Sequence, residues 1–254
     1  MNQKKIQLGG TARSPEDVIA LKKLGLQFAE VPIADRNRFS LNKERFLALK
    51  KALGIYYLCH GPREGDPNDM EGLERVYLPK VMDTLKIMPG LDMKLLTIHL
   101  WLDPRFVKRE VIDYKIGFLK RVTERAKHAG ITVCLENLSE NAVDYAGVFE
   151  AVGGLGLTLD LGHAQLLSEK NTSFDLMERF PGRIKHVHLH DNRGGNSPEH
   201  DLHLPVGEGV IDFPEIFMKL KKIGYRRTIT LELRPVEIRK CLAHVKELLR
   251  ILVD

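Results

Sequence analysis

Short apolar runs alternate with helical patterns from one end of the chain to the other. Runs of strand length lie near Ile6–Leu8, Gln27–Ile33, Ile55–His60, Leu95–His99, Ile131–Glu136, Leu155–Asp160, Ile184–His190 and Thr228–Leu233. Between them the helix signals are explicit. Ser14-Pro15-Glu16-Asp17 reads as an N-cap, an N1 proline and an acidic first turn, and Gly25 ends that helix. Asn42 opens the next helix and Gly54 closes it. Val107–Ala129 runs with helical spacing into Gly130, Pro214–Ile223 stops at Gly224, and Val236–Leu252 forms the last helix. Eight β-then-α units without a Pro-, Gly- or Ser-rich linker predict one closed parallel (β/α)8 barrel, an α/β fold, as a single domain over residues 1–254. A doubly wound open sheet is the runner-up, but no Gly-rich phosphate-binding turn follows the first strand.

Several strands have two unlike faces. Ile131, Val133 and Leu135 alternate with Thr132, Cys134 and Glu136; Leu155, Leu157 and Leu159 alternate with Gly156, Thr158 and Asp160. Ile229, Leu231 and Leu233 alternate with Thr228, Thr230 and Glu232. Successive side chains point to opposite faces of a strand, so in a barrel the greasy face meets the helices. The small or polar face then points inward and ends in a carboxylate at the C-terminal rim. An acid there needs a partner charge or a metal ion.

Length is consistent with this picture: 254 residues match one barrel of about 250. No run approaches the ~20 apolar residues of a membrane span, and Met1–Ile6 lacks the apolar stretch of a signal peptide. Cys59, Cys134 and Cys241 sit in apolar segments without close-spaced pairing and read as buried free thiols of a cytoplasmic protein. The net charge of +5 leaves room for an anionic partner, although much of it comes from helix-face residues such as Lys22, Lys23, Lys50 and Lys51.

Candidate chemistry lies at the strand ends. His60, His99, Glu136, Asp160, His188 and Glu232 close six of the strands; His163 follows Asp160 by three residues, and Asp201 and His203 form an Asp-x-His pair in the loop after the seventh strand. Any one of these alone reads as a satisfied polar residue. Together they converge on the face where barrels build active sites, and divalent cations are the usual compensation for such a density of donors. His186 shares the inward parity of His188 and is expected one layer deeper, hydrogen-bonded in the core. His190 is expected above the rim, where it touches substrate or solvent. His128 and His244 fall on helices, and His200 has no assignment.

These residues resemble a known superfamily, the xylose isomerase-like TIM barrels that include endonuclease IV (AP endonuclease family 2). The resemblance covers nearly the whole chain. Leu135-Glu136-Asn137 resembles its fifth-strand motif, Asp160-Leu161-Gly162-His163-Ala164 its Asp-x-x-His-Ala, and His188-Leu189-His190-Asp191 its His-Leu-x-Asp. Asp201-x-His203 followed by Gly207-Glu208-Gly209 resembles its Asp-x-His…Gly-x-Gly turn, and Leu231-Glu232 its closing glutamate. The resemblance implies up to three divalent ions per chain, Zn2+ foremost and Mn2+ as the alternative. One is held by Glu136, Asp160, His188 and Glu232, a second by His60, His99 and a bridging Glu136, and a third by His163, Asp201 and His203. The reaction it implies is phosphoester hydrolysis by a metal-bridged hydroxide.

The competing reading is a sugar or sugar-phosphate isomerase or epimerase of the same superfamily. It needs only Glu136, Asp160, His188 and Glu232 around one metal, with Glu136 and Glu232 as the acid–base pair on either face of the substrate carbon. Arg193 resembles a substrate-gripping arginine of some epimerases, and His203–Gly209 resembles many sugar phosphate isomerases. DNA is disfavoured as a partner: the acidic loop Gly61–Glu71 lacks the aromatic residue that enters damaged duplexes in endonuclease IV, and Arg36 and Arg38 are too few for a duplex groove. A non-catalytic barrel keeping metals for structure is the third reading, weakened by ligands at an open mouth. The balance falls on a hydrolase, because a one-metal isomerase has no chemical need for His60, His99, His163, Asp201 and His203 together.

Overall fold

The computed structural model describes residues 6–253. Met1–Lys5, which carry most of the N-terminal segment read above, lie outside the described residues. Eight parallel strands close into a barrel in sequence order: β1 (Gln7–Thr11), β2 (Phe28–Pro32), β3 (Tyr56–His60), β4 (Leu95–Ile98), β5 (Thr132–Glu136), β6 (Gly156–Asp160), β7 (Ile184–Leu189) and β8 (Thr228–Leu231). Pairing of Gln7 with Thr228 and Gly10 with Leu231 seals the ring. The helices are α1 (Pro15–Lys23), α2 (Arg36–Ser40), α3 (Lys43–Leu53), α4 (Met70–Gly72), α5 (Leu78–Ile87), α6 (Arg109–His128), α7 (Ala142–Ala151), α8 (Ser173–Arg179), α9 (Phe213–Lys222) and α10 (Pro235–Val253). Among them no helix is long and apolar enough to cross a membrane.

Local chemistry accounts for the element ends. Ser14 and Asp17 form the reciprocal capping box that opens α1. Asn141 and Asp144 do the same for α7, a helix the sequence pattern does not mark. Gly25, Gly54, Gly130 and Gly224 all have positive φ where they end helices. Alpha5 is reached from α4 through one π-helical turn, Leu73–Tyr77.

The two faces of the strands sort as expected. Ala29, Val31, Leu96, Ile98, Val133, Leu135, Leu157, Leu159, Val187, Leu189, Ile229 and Leu231 pack outward into the core shared with the helices. Fully burying each of the valine, leucine and isoleucine side chains among them contributes about 1.5–3 kcal/mol. The interior is layered. Phe28, Leu58, Leu95 and Cys134, with Tyr56 beside them, form a separate apolar plug at the N-terminal end. Above it Thr97 and Thr158 share a 2.8 Å hydrogen bond, and His186 Nε2 and Glu30 Oε2 another of 3.1 Å. The rim residues lie above that layer.

One boundary differs from the pattern. The first strand runs to Thr11 rather than stopping at Leu8. Gly9 and Gly10 look like a break, but a Cβ at Gly9 would overlap the Phe28 ring, so the narrow barrel demands glycine within the strand. All three cysteines are free and buried.

Candidate metal centre

Beta7 places His188 at the middle of the rim. Its Nδ1 lies 2.9 Å from Glu136 Oε1, 3.2 Å from Glu232 Oε1 and 3.7 Å from Asp160 Oδ2. The other oxygen of Glu136 faces His99 Nε2 at 2.8 Å and His60 Nε2 at 3.3 Å. His163 reaches from the turn after β6, with Nδ1 3.6 Å from Glu136 Oε1 and Nε2 3.2 Å from Asp201 Oδ2. That same Asp201 oxygen lies 3.0 Å from His203 Nε2. The nine residues singled out in the sequence therefore form one contiguous network of donors.

Two pieces of local structure hold this network. Asn137 grips the end of β6 through both amide atoms, donating to Asp160 O at 2.8 Å and accepting from Asp160 N at 2.8 Å. The buried Asp191 accepts from the backbone N–H groups of Gly207 and Gly209, each at 2.9 Å. A side chain at Gly209 would collide with Asp191 and with the Asn192 carbonyl. The Gly-x-Gly turn is thus a clasp that anchors the loop carrying Asp201 and His203.

Charge is concentrated where water is excluded. Burial acts to raise the Glu136 carboxyl, but the imidazoles of His188 and His99 hold it well below the usual carboxylate range. Burial pushes His60 down, yet the Glu136 carboxylate more than offsets this and raises it to about 9. His203 reaches about 9 in the same way, through Asp201. Some atoms nevertheless lack partners. Asp160 Oδ2, Glu30 Oε1 and both ring nitrogens of His190 are buried without a hydrogen bond; His190 Nε2 comes within 3.1 Å of Asp160 Oδ1 but is not aligned for one.

Leaving a buried polar group unsatisfied costs about 1–3 kcal/mol, more for a charge. Cations among these donors would remove that cost, and the mixture of imidazole and carboxylate suits Zn2+ or Mn2+. Three overlapping groups bring ligand atoms within 4.8 Å of one another: His60, Glu136, His188 and Glu232; Glu136, Asp160 and His163; and His163, His190, Asp201 and His203. The residues present fit metal binding.

Three placements depart from expectation or escaped it. His190 does not project above the rim: its ring is fully buried, lies where any side chain at Gly162 would stand, and stacks on His203 at 3.9 Å. Arg193 is exposed and is not among the residues lining the central cavity. Glu30 is a charged neighbour of the donor network that the sequence reading does not mark. Its Oε2 lies 2.9 Å from His188 Nε2 and 3.1 Å from His186 Nε2, one layer below the rim. The signal was present, since Glu30 has inward parity in an otherwise apolar Phe28-Ala29-Glu30-Val31-Pro32 run. His186 lies in the deeper layer as expected, bonded to Thr228 and Thr230.

Over the donors opens a cavity of about 900 Å3. Glu232, His60, His99, His163, Asp201 and His203 face it, whereas Glu136, Asp160 and His188 lie beneath. One wall is Trp101, stacked on Phe106 at 4.7 Å and donating its indole N–H to Ser139. The loop after β3 closes another side and is pinned by Lys115, whose Nζ lies 3.0 Å from Glu64 Oε2 and 2.7 Å from the Trp101 carbonyl.

Comparisons with known proteins agree with this architecture. The uncharacterized protein MJ1311 of Methanocaldococcus jannaschii is 27% identical over 205 residues, which cover 75% of this chain and 69% of that protein. The crystal structure of a D-tagatose 3-epimerase-like protein superposes with a TM-score of 0.83 at 23% identity, covering 97% of this chain and 98% of the other. The structure of L-ribulose 3-epimerase superposes with a TM-score of 0.78 at 17% identity, covering 97% of this chain and 95% of the other. Residues 18–250 match the family model described as xylose isomerase-like TIM barrel, and the chain belongs to that family.

Proposed function

We propose that this protein is a divalent-metal-dependent isomerase or epimerase of a small sugar. The observation that carries the reading is the one-metal donor set Glu136, Asp160, His188 and Glu232, assembled at the floor of a cavity sized for a small molecule, with one of its own carboxylates facing into that cavity. The sugar 3-epimerases among the similar structures support it, and so does Trp101, whose indole face suits the C–H face of a sugar ring.

A bound divalent cation would polarise a substrate carbonyl and hydroxyl. The chain's own residues do the rest. Glu232 faces the cavity and is the group that takes a proton from the substrate carbon. Epimerisation needs a second group on the opposite face, and Glu136 fills that role once its His60 and His99 partners give way. Isomerisation between adjacent carbons needs one base, Glu232, to carry the proton from carbon to carbon, while a second proton passes between the two substrate oxygens. Trp101 and the loop after β3 shield the reacting carbon from water.

A specific observation favours a second reading, phosphoester hydrolysis. His60, His99, His163, Asp201 and His203 are all within donor reach of the central set, more ligands than one cation uses. Divalent cations there would supply an activated water and charge stabilisation at phosphorus. Metal per chain, counted on purified undialysed protein, separates the two when paired with a screen of ketoses, aldoses and phosphoesters. One cation per chain with sugar turnover abolished by Glu232→Gln supports the isomerase or epimerase. Two or three cations with phosphoester turnover overturns it.

A further inference from the structure

The cavity has two chemically distinct sides. The metal-binding donors come from β3 to β8 and their loops, whereas the opposite wall is built from the ends of β1 and β2, the loop after β3, and α5. Three cationic side chains line that wall: Arg13 just past β1, Arg63 in the loop after β3, and Lys80 on α5. All three are exposed, and among the described residues none has a carboxylate within ion-pair distance. The acids lining the same cavity are already engaged. Glu64 pairs with the buried Lys115, Asp201 with His163 and His203, and Glu232 with His188.

Shape points the same way. Ala34, the small residue after β2, lines the central cavity together with Arg13 and Lys80. It also lines two smaller clefts, one of about 240 Å3 holding Arg13 and Arg38 and one of about 370 Å3 holding Lys80 and Arg36. Asp35 also borders both clefts and Asp83 the larger one, where it pairs with Arg36 at 3.9 Å, so within the central cavity the cations beside Ala34 that lack a carboxylate partner are Arg13 and Lys80. Arginine forks and lysine ammonium groups of this kind recognise phosphate oxygens. A substrate with its reacting carbon at Glu232 would present its far end to this wall.

We infer that the substrate is anionic, a sugar carrying a terminal phosphate monoester, and that Arg13, Arg63 and Lys80 form the subsite for that phosphate. The inference rests on the sugar isomerase or epimerase reading for the remainder of the substrate. The phosphate stays intact throughout; it positions the sugar and supplies binding energy remote from the reacting carbon.

Binding of inorganic phosphate, D-fructose, D-fructose 6-phosphate and D-tagatose 6-phosphate to the metal-loaded protein, measured by titration calorimetry, tests it alongside a turnover assay for the three sugars. The phosphorylated ketoses are expected to bind at least tenfold more tightly than fructose, with affinity falling as ionic strength rises. Arg13→Ala and Lys80→Ala should each weaken phosphoester binding by about ten- to a hundredfold and leave metal content and fructose binding unchanged. Equal affinity for free and phosphorylated sugars overturns the subsite. So does phosphate binding that survives both substitutions but disappears on removal of the metal, which would put the anion on the cations instead. Absence of millimolar binding by every phosphate probe also overturns it. Phosphoester binding that depends on Arg13 and Lys80 without turnover of any sugar keeps the anion subsite and rejects the proposed reaction.

Discussion

Replacing Glu30 with Gln asks whether the acid beneath the rim sets the metal affinity of the site above it. His188 is held at both nitrogens, by Glu30 Oε2 at 2.9 Å on Nε2 and by Glu136 Oε1 at 2.9 Å on Nδ1. To offer Nδ1 to a cation the ring must keep its proton on Nε2, and Glu30 is the acceptor that enforces that tautomer. Gln is nearly isosteric. Because Glu30 Oε1 has no partner, the amide NH2 can take that side while the carbonyl keeps the contacts to the two imidazoles. What is lost is the charge. A charge-assisted hydrogen bond contributes about 1.5–3 kcal/mol against about 0.5–1.5 kcal/mol for a neutral one. The difference, about 1–2 kcal/mol, corresponds to roughly five- to thirtyfold in affinity. Competition with a chromogenic chelator for Zn2+ and Mn2+ measures it, with circular dichroism to confirm the fold and Asp160→Asn as a variant that removes a ligand outright. An affinity within twofold of the parent protein, with the fold intact, would refute the argument that Glu30 orients His188.

Three other substitutions or conditions test separate parts of the structure. Lys115→Met leaves the nearly buried Glu64 carboxylate without its cation, and removing one partner of a buried pair costs about 3–5 kcal/mol. For a chain of this size that lowers Tm by about 10 °C, and calorimetry should show Glu64→Gln recovering part of the loss. In the metal-free protein His60 and His203, raised to about 9, contribute ion-pair stability that is complete below the ordinary histidine value near 6.5 and is lost as pH rises through about 9. Cations must displace those protons, so apparent metal affinity should climb between pH 6 and pH 9 with measurable proton release; a flat profile contradicts the assignment. Gly209→Ala drives a methyl group into Asp191 and the Asn192 carbonyl. It should destabilise the chain by about 1–3 kcal/mol in urea unfolding and lower metal content at the His163, Asp201 and His203 group before that at His188.

The rim was legible because strand alternation has period two, and an acid or imidazole at the last inward position contrasts with apolar neighbours. Glu136, Asp160 and Glu232 were readable on those grounds alone. Asp201 and His203 lie in a loop without periodicity, so only their Asp-x-His pairing and the family resemblance marked them. Glu30 was hidden by its surroundings, an apolar run that reads as a strand buried on both sides. His190 had its parity read correctly and its environment missed, since the loop bearing His203 folds back over it. The glycines of β1 imitate a turn until the Phe28 ring appears beside them. Arg13, Arg63 and Lys80 come from three elements far apart in sequence, and their shared wall is a product of tertiary structure that no local pattern encodes. The helix Ala142–Ala151 is capped in the sequence at Asn141 and Asp144, but its apolar residues surround it too evenly for a clear stripe.

Glu136 serves several neighbours at once: one oxygen faces His188 and His163, the other His60 and His99. Cations drawing on these ligands cannot bind independently, because each changes the field and the acceptor seen by the next, and the influence is equal in both directions. Were several cations to bind, their occupancy would follow free metal as a coupled rather than an independent response. If this chain binds more than one cation, Glu136 is the residue through which their affinities would be linked. Related chains could thus diverge in chemistry by adjusting a single shared residue's partners, leaving the scaffold as it is.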